Sequence, residues 1–139
     1  MPKSTVFSAG GCTGANRSPA LQWRGAPPGT RSFALIVHDA DAPVAGGWYH
    51  WVVYDLPAQR HSLGGGERIA RSQLGITSWH RRGYGGPCPP HGGAHHYRFM
   101  LYALNVRAVG GATPTGPELL ARMRGHILGR AILIGTYRQ

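Results

Sequence analysis

The chain has 139 residues, 42% of them hydrophobic and 14% charged, which suits one domain (1–139) with a buried core and excludes a disordered chain. No apolar run approaches the ~20 residues that a transmembrane helix needs. The net charge of +10 favours anionic partners, but the arginines are dispersed, so the expectation is a basic surface without specific nucleic acid recognition.

Near the N-terminus, the apolar run Thr5–Val6–Phe7 before Cys12 is well short of the ~7 to 15 residues of a signal peptide's apolar region. A cytoplasmic location is therefore expected. SFALIVHD (32–39) is β-branched and apolar on both faces, as in a strand central to a packed sheet. It runs into HDADAP (38–43), where Asp39 and Asp41 alternate before Pro43. Two readings stand there: an Asx-type turn closed by Pro43, or a functional pair of carboxylates. A divalent-cation site is disfavoured, because only 5 acidic residues exist in the whole chain to complete an oxygen shell. GWYHWVVYDL (47–56) reads as a second buried strand, ended by Pro57.

GPCPPHGGAHHY (86–97) places Cys88, His91 and His95 at C-x-x-H-x-x-x-H, a spacing that suggests a metal. Against it, Pro87, Pro89 and Pro90 stiffen the backbone around Cys88, and a structural zinc site wants four ligands. Neither a metal nor a cofactor is expected. In HYRFMLYAL (96–104) and the residue before it, alternation puts His95, Tyr97, Phe99, Leu101 and Ala103 on one face. His96, Arg98, Met100, Tyr102 and Leu104 take the other. His95 and Tyr97 should point inward at the start of the strand, and His96 outward.

Thr115 and Glu118 form a T-x-x-E capping box with Pro117 in the first turn. Leu119, Leu120, Met123 and Ile127 follow at helical spacing, predicting a helix stopped by Gly129. AILIGTY (131–137) then reads as a final strand. Many short strands and one late helix predict a mainly antiparallel β-sandwich. The two cysteines, Cys12 and Cys88, are too few for a disulfide framework.

In their order, CTGANRSPALQW, PPGTRSFALIVHDADAP, GGWYHWVVYDLPA, GYGGPCPPHGGAHHYRFMLYAL and ELLARMRGHILGRAILIGTYR resemble the phosphatidylethanolamine-binding protein family, in its bacterial Raf-kinase-inhibitor-like branch. The specific part is the succession D-x-D-A-P, W-x-H, G-P-x-P-P and H-x-Y. This chain departs from the family at Thr13, where an aspartate is common, and at Thr77 and Ser78, where an Asn-Asp pair is common. The resemblance implies a mainly β fold, a Greek-key β-sandwich of two antiparallel sheets with one or two short helices, and a small anion-accepting pocket at one end.

Carried over by motif, that pocket comprises Asp39, His50, Cys88, Pro89, His95 and Tyr97. Asp41, Pro43, Trp48 and Pro90 support it, Asp41 by bracing the turn. His50 and His95 would give N–H donors to a phosphate-like group, while Asp39 orients a histidine or receives a donor from the ligand. The implied function is non-enzymatic binding of a phosphate-type anion or phospholipid head group. Implied partners are a phosphoprotein or kinase, or a protease to be modulated, and a second copy in a homodimer. The alternative is a hydrolase or phosphotransfer enzyme using the two histidines as acid and base, with Cys88, near His91 and His95, as the visible nucleophile.

Overall fold

The computed structural model describes every residue, Met1–Gln139. Its elements, in chain order, are β1 (Leu21–Gln22), β2 (Ser32–Asp39), β3 (Trp48–Pro57), β4 (Ser62–Leu63), β5 (His95–Leu104), α1 (Gly116–Met123) and β6 (Ile127–Tyr137), with single 3-10 turns at Lys3–Thr5 and Arg71–Gln73.

Alternation along β2 decides the architecture. Phe33, Leu35 and Val37 enter one hydrophobic core, while Ala34 and Ile36 enter a second on the opposite face. A strand apolar on both faces is stable only inside a covered sheet, and β2 pairs antiparallel with β3 on one side and β5 on the other. β6 pairs with β5, giving a four-stranded sheet in the order β3-β2-β5-β6. The first core is covered by the small second sheet, β1 with β4, through fully buried Leu63 and the neighbouring Leu21 and Trp23. The second core is sealed by Leu119 and Met123 of α1. The protein is thus mainly β, with two sheets and short helices, as expected.

The capping box forms as the sequence predicts. Glu118 N donates to Thr115 Oγ1 at 3.3 Å, and the Glu118 carboxylate accepts from Thr115 N at 3.0 Å. The end of the helix differs from the expectation. It stops at Met123 rather than at Gly129, because Gly125 takes φ +83°, the left-handed conformation that ends helices and suits glycine. Ile127 continues the helical spacing only by coincidence: it opens β6, which begins four residues earlier than expected.

Antiparallel register brings the site together. Asp39, at the end of β2, lies opposite both Trp48 at the start of β3 and Tyr97 near the start of β5. Between the pairs Val37–Trp51 and His38–Tyr49 the β2–β3 register slips, which leaves His50 as the extra residue of a β-bulge. Such bulges re-aim side chains, and this one sits beside the cavity described next.

Candidate functional site

A cavity of about 310 Å³ opens where the end of β2 meets the starts of β3 and β5, a volume within the range of small-molecule sites. Its polar floor is Asp39, His50, His95 and Tyr97. Asp39 is buried, and its two oxygens are divided. Oδ2 accepts from His95 Nδ1 at 2.7 Å, and Oδ1 accepts from the amide of Asp41 at 2.9 Å. The turn reading of HDADAP holds, since the Asp39 carboxylate closes an Asx turn; the same carboxylate lines the cavity and meets His95 there.

His50 is only 4% exposed. Its Nδ1 lies 2.8 Å from the Gly85 carbonyl oxygen, and its Nε2 has no protein partner. Burial pushes the imidazole pKa down to about 4, against a smaller upward pull from that carbonyl and from the Asp39 charge, so the ring is neutral at pH 7. The Tyr97 hydroxyl is buried and makes no hydrogen bond. Burial first, and then the Asp39 charge, push its pKa far above the ordinary value. It therefore stays an O–H group, a donor without an acceptor.

The prolines form the rim, and close packing of the 84–90 loop against the N-terminal segment sets their position. A Cβ on Gly86 would lie 2.0 Å from the Thr5 carbonyl oxygen, and one on Gly85 would lie 2.2 Å from the Trp79 ring. Only glycine allows both approaches. The segment is held further by Phe7 N donating to the Pro87 carbonyl at 3.0 Å and by Gly86 N donating to Asn16 Oδ1 at 2.7 Å. A Cys12–Cys88 disulfide, Cα to Cα 5.9 Å, staples the two segments together. Beside it, Gln139 Nε2 donates to the Pro89 carbonyl at 2.7 Å and ties the C-terminal residue to the same rim.

Of the residues expected in or around the pocket, Asp39, His50, Cys88, Pro89, His95 and Tyr97 all line this one cavity, and Pro43, Trp48 and Pro90 line it with them. Asp41 does not. Its exposed carboxylate instead accepts from the His96 amide at 2.9 Å and from His96 Nδ1 at 2.8 Å, bracing the turn from outside. His96 points outward, as alternation requires.

Cys88 reaches the cavity as half of a disulfide, so it supplies neither a thiolate ligand to a metal nor a nucleophile. His91 is exposed and outside the cavity, and no three His, Cys, Asp or Glu side chains gather in a metal-holding group. Sequence reasoning missed Phe7 and Trp79. Their rings stack with centroids 4.9 Å apart, and Trp79 also meets His50 edge-on at 5.1 Å and Trp48 at 5.4 Å. The available signal was the Gly85–Gly86 pair, which marks a place where another segment must come close.

A model of the phosphatidylethanolamine-binding protein family matches residues 2–138. A UPF0098 protein of Aquifex aeolicus is 43% identical over 136 residues, spanning 92% of this chain and 78% of that protein. A UPF0098 protein of Methanothermobacter thermautotrophicus is 40% identical over 133 residues, spanning 92% of this chain and 87% of that protein. Among solved structures, the chain is similar to Escherichia coli YbcL, described as a new member of the mammalian PEBP family, with TM-score 0.93, 34% identity, and coverage of 100% of this chain and 90% of that one.

Proposed function

We propose, for a chain that belongs to the phosphatidylethanolamine-binding protein family, a non-enzymatic binding role in which the cavity between the end of β2 and the starts of β3 and β5 takes a phosphate-type anion. The observation that carries this reading is convergence. One small cavity holds an oriented His95–Asp39 pair, a His50 ring whose one hydrogen bond is made by Nδ1, and an unpartnered Tyr97 hydroxyl. A buried hydroxyl without an acceptor is costly, and an oxyanion supplies the acceptor. Prolyl and aromatic side chains line much of the cavity, and such low-polarity surroundings strengthen hydrogen bonds.

The source of the anion is a phospholipid head group or a phosphorylated partner, and binding it would modulate a kinase or protease. The disulfide at Cys88 favours this reading over the hydrolase alternative, whose visible nucleophile is Cys88. A homodimer belongs to the same proposal. β6 has no strand on its outer edge, and Leu133 and Ile134 are more than half exposed there. Antiparallel self-pairing about Leu133 would set Arg130 opposite Thr136, with no two like charges facing. As to location, the cytoplasmic expectation has the Cys12–Cys88 bond against it, since disulfides persist in oxidising compartments.

Titration with inorganic phosphate, followed by chemical shifts of the cavity residues, tests the reading. His95→Ala and Tyr97→Phe are each expected to weaken binding by about tenfold, the worth of a hydrogen bond to a charged group, ~1.5 kcal/mol. Unchanged binding in both variants would remove the proposal.

A further inference from the structure

We infer that the cavity selects a phosphomonoester that still carries one proton, and discriminates against a phosphodiester, because His50 presents a lone pair to the ligand where the family pattern leads one to expect a donor. The inference rests on the proposed anion site and names its ligand class. It starts from one hydrogen bond. The Gly85 carbonyl oxygen accepts and cannot donate, so at 2.8 Å the proton of the pair sits on His50 Nδ1. A neutral imidazole has one N–H, which leaves Nε2 as an acceptor.

The surroundings keep the ring neutral. The groups facing His50 are Asp39 and His38 on β2, Tyr97 and His95 on β5, and the Trp79 ring with the backbone of Gly85 and Gly86 on the loops. The one carboxylate among them is already engaged by His95 Nδ1 and the Asp41 amide. A buried ring with no free counter-charge does not take up a proton readily.

The polar complement of the cavity is therefore mixed. Tyr97 offers a donor and His50 Nε2 offers an acceptor. Trp48, which also lines the cavity, carries a second buried N–H without a partner. A monoester in its singly charged form, R–O–PO3H−, matches this set: its unprotonated oxygens accept from the fixed donors, and its P–OH donates to His50 Nε2. A diester has the same single charge but no O–H, so it leaves the His50 lone pair facing a phosphate oxygen. Two acceptors in contact without a proton repel, and the desolvation of both goes uncompensated. A phosphorylated side chain or a free phosphorylated head group thus fits, whereas the phosphodiester of an intact phospholipid does not.

Methyl phosphate and dimethyl phosphate, of nearly equal size, separate the cases. Each is titrated into the intact protein at pH 6 and pH 8, while long-range proton–nitrogen correlations report the His50 tautomer. With a second ionisation near ~6, methyl phosphate is about half monoanion at pH 6 and roughly one part in a hundred at pH 8. Its apparent affinity should therefore fall roughly 50-fold over that interval. Dimethyl phosphate does not titrate, so its own pH dependence reports changes in the protein and is subtracted.

At pH 6 the diester should bind at least ~10-fold more weakly than the monoester, and free His50 should show a protonated Nδ1 with a bare Nε2. Equal affinity for the two esters, a monoester that binds as well at pH 8 as at pH 6, or a proton on His50 Nε2 in the free protein would overturn the inference while leaving an anion site standing. No shift of any cavity resonance with either ester would overturn the anion site itself.

Discussion

Acidification from pH 7 to pH 4 is expected to cost the fold roughly 3 kcal/mol through His50 alone. Burial holds the native ring at about 4 against an ordinary 6.5, and each unit of difference is worth ~1.4 kcal/mol. The native pKa is the lower of the two, so between these values the unfolded chain binds a proton that the native state does not. Stability is therefore complete above pH 6.5, declines as the pH falls through that window, and stops declining from this source once the native ring also protonates.

Asp41, held low by His96, and Glu118, held low by the Thr115 amide, add to the decline only near and below their ordinary carboxylate values. His50→Asn isolates the histidine, because an asparagine amide can take the place of the Nδ1–H donor to Gly85 while having nothing to titrate. Urea midpoints from pH 7.5 to pH 4 should fall steeply for the natural chain and much less for the variant. Parallel curves would show that His50 is not the source.

Reduction of the Cys12–Cys88 bond is expected to cost a similar amount. The two cysteines are separated by 76 positions, and closing a loop of that size in the unfolded chain is worth about 4.5 kcal/mol in the chain-entropy model, with ~2–4 typical of measured bonds. For a domain of this length that is a fall in melting temperature of roughly 10 °C. A thermal melt with and without dithiothreitol measures it, and a Cys12→Ser, Cys88→Ser double variant should melt low in both conditions. A shift smaller than ~2 °C on reduction would show that the Phe7–Pro87 and Gly86–Asn16 hydrogen bonds hold the staple region without the bond. Because Gly10 and Cys88 both line the cavity, the reduced protein should also bind phosphate more weakly.

What could be read in advance follows from how far apart the interacting residues lie along the chain. Period-two alternation in 95–104 separates His95 and Tyr97 from His96, and the structure keeps that division. The two-faced apolar run at 32–39 marks a central strand, and the Thr115–Glu118 box marks the start of the helix. Each of these rests on residues within a few positions of one another.

Ile127 shows where local pattern fails. Its spacing from Met123 fits a helix, and only the left-handed conformation at Gly125 turns the chain away into β6. The bulge at His50 arises from the fit between two strands and leaves no mark in either one. Phe7 and Trp79, 72 positions apart in the chain, stack only because the 84–90 loop folds down on the N-terminal segment. The Cys12–Cys88 bond depends on the same approach. W-x-H placed His50 at the pocket, but the state of its ring nitrogens depends on the Gly85 carbonyl, which no spacing rule addresses.

A crystal structure of the protein grown at pH 6 in phosphate tests the central claim most directly. The account predicts one oxyanion in the cavity, within hydrogen-bond distance of His50 Nε2 and the Tyr97 hydroxyl, with Asp39 still bonded to His95 Nδ1. A cavity that stays empty while phosphate binds elsewhere, or an Asp39 that has released His95, would contradict it.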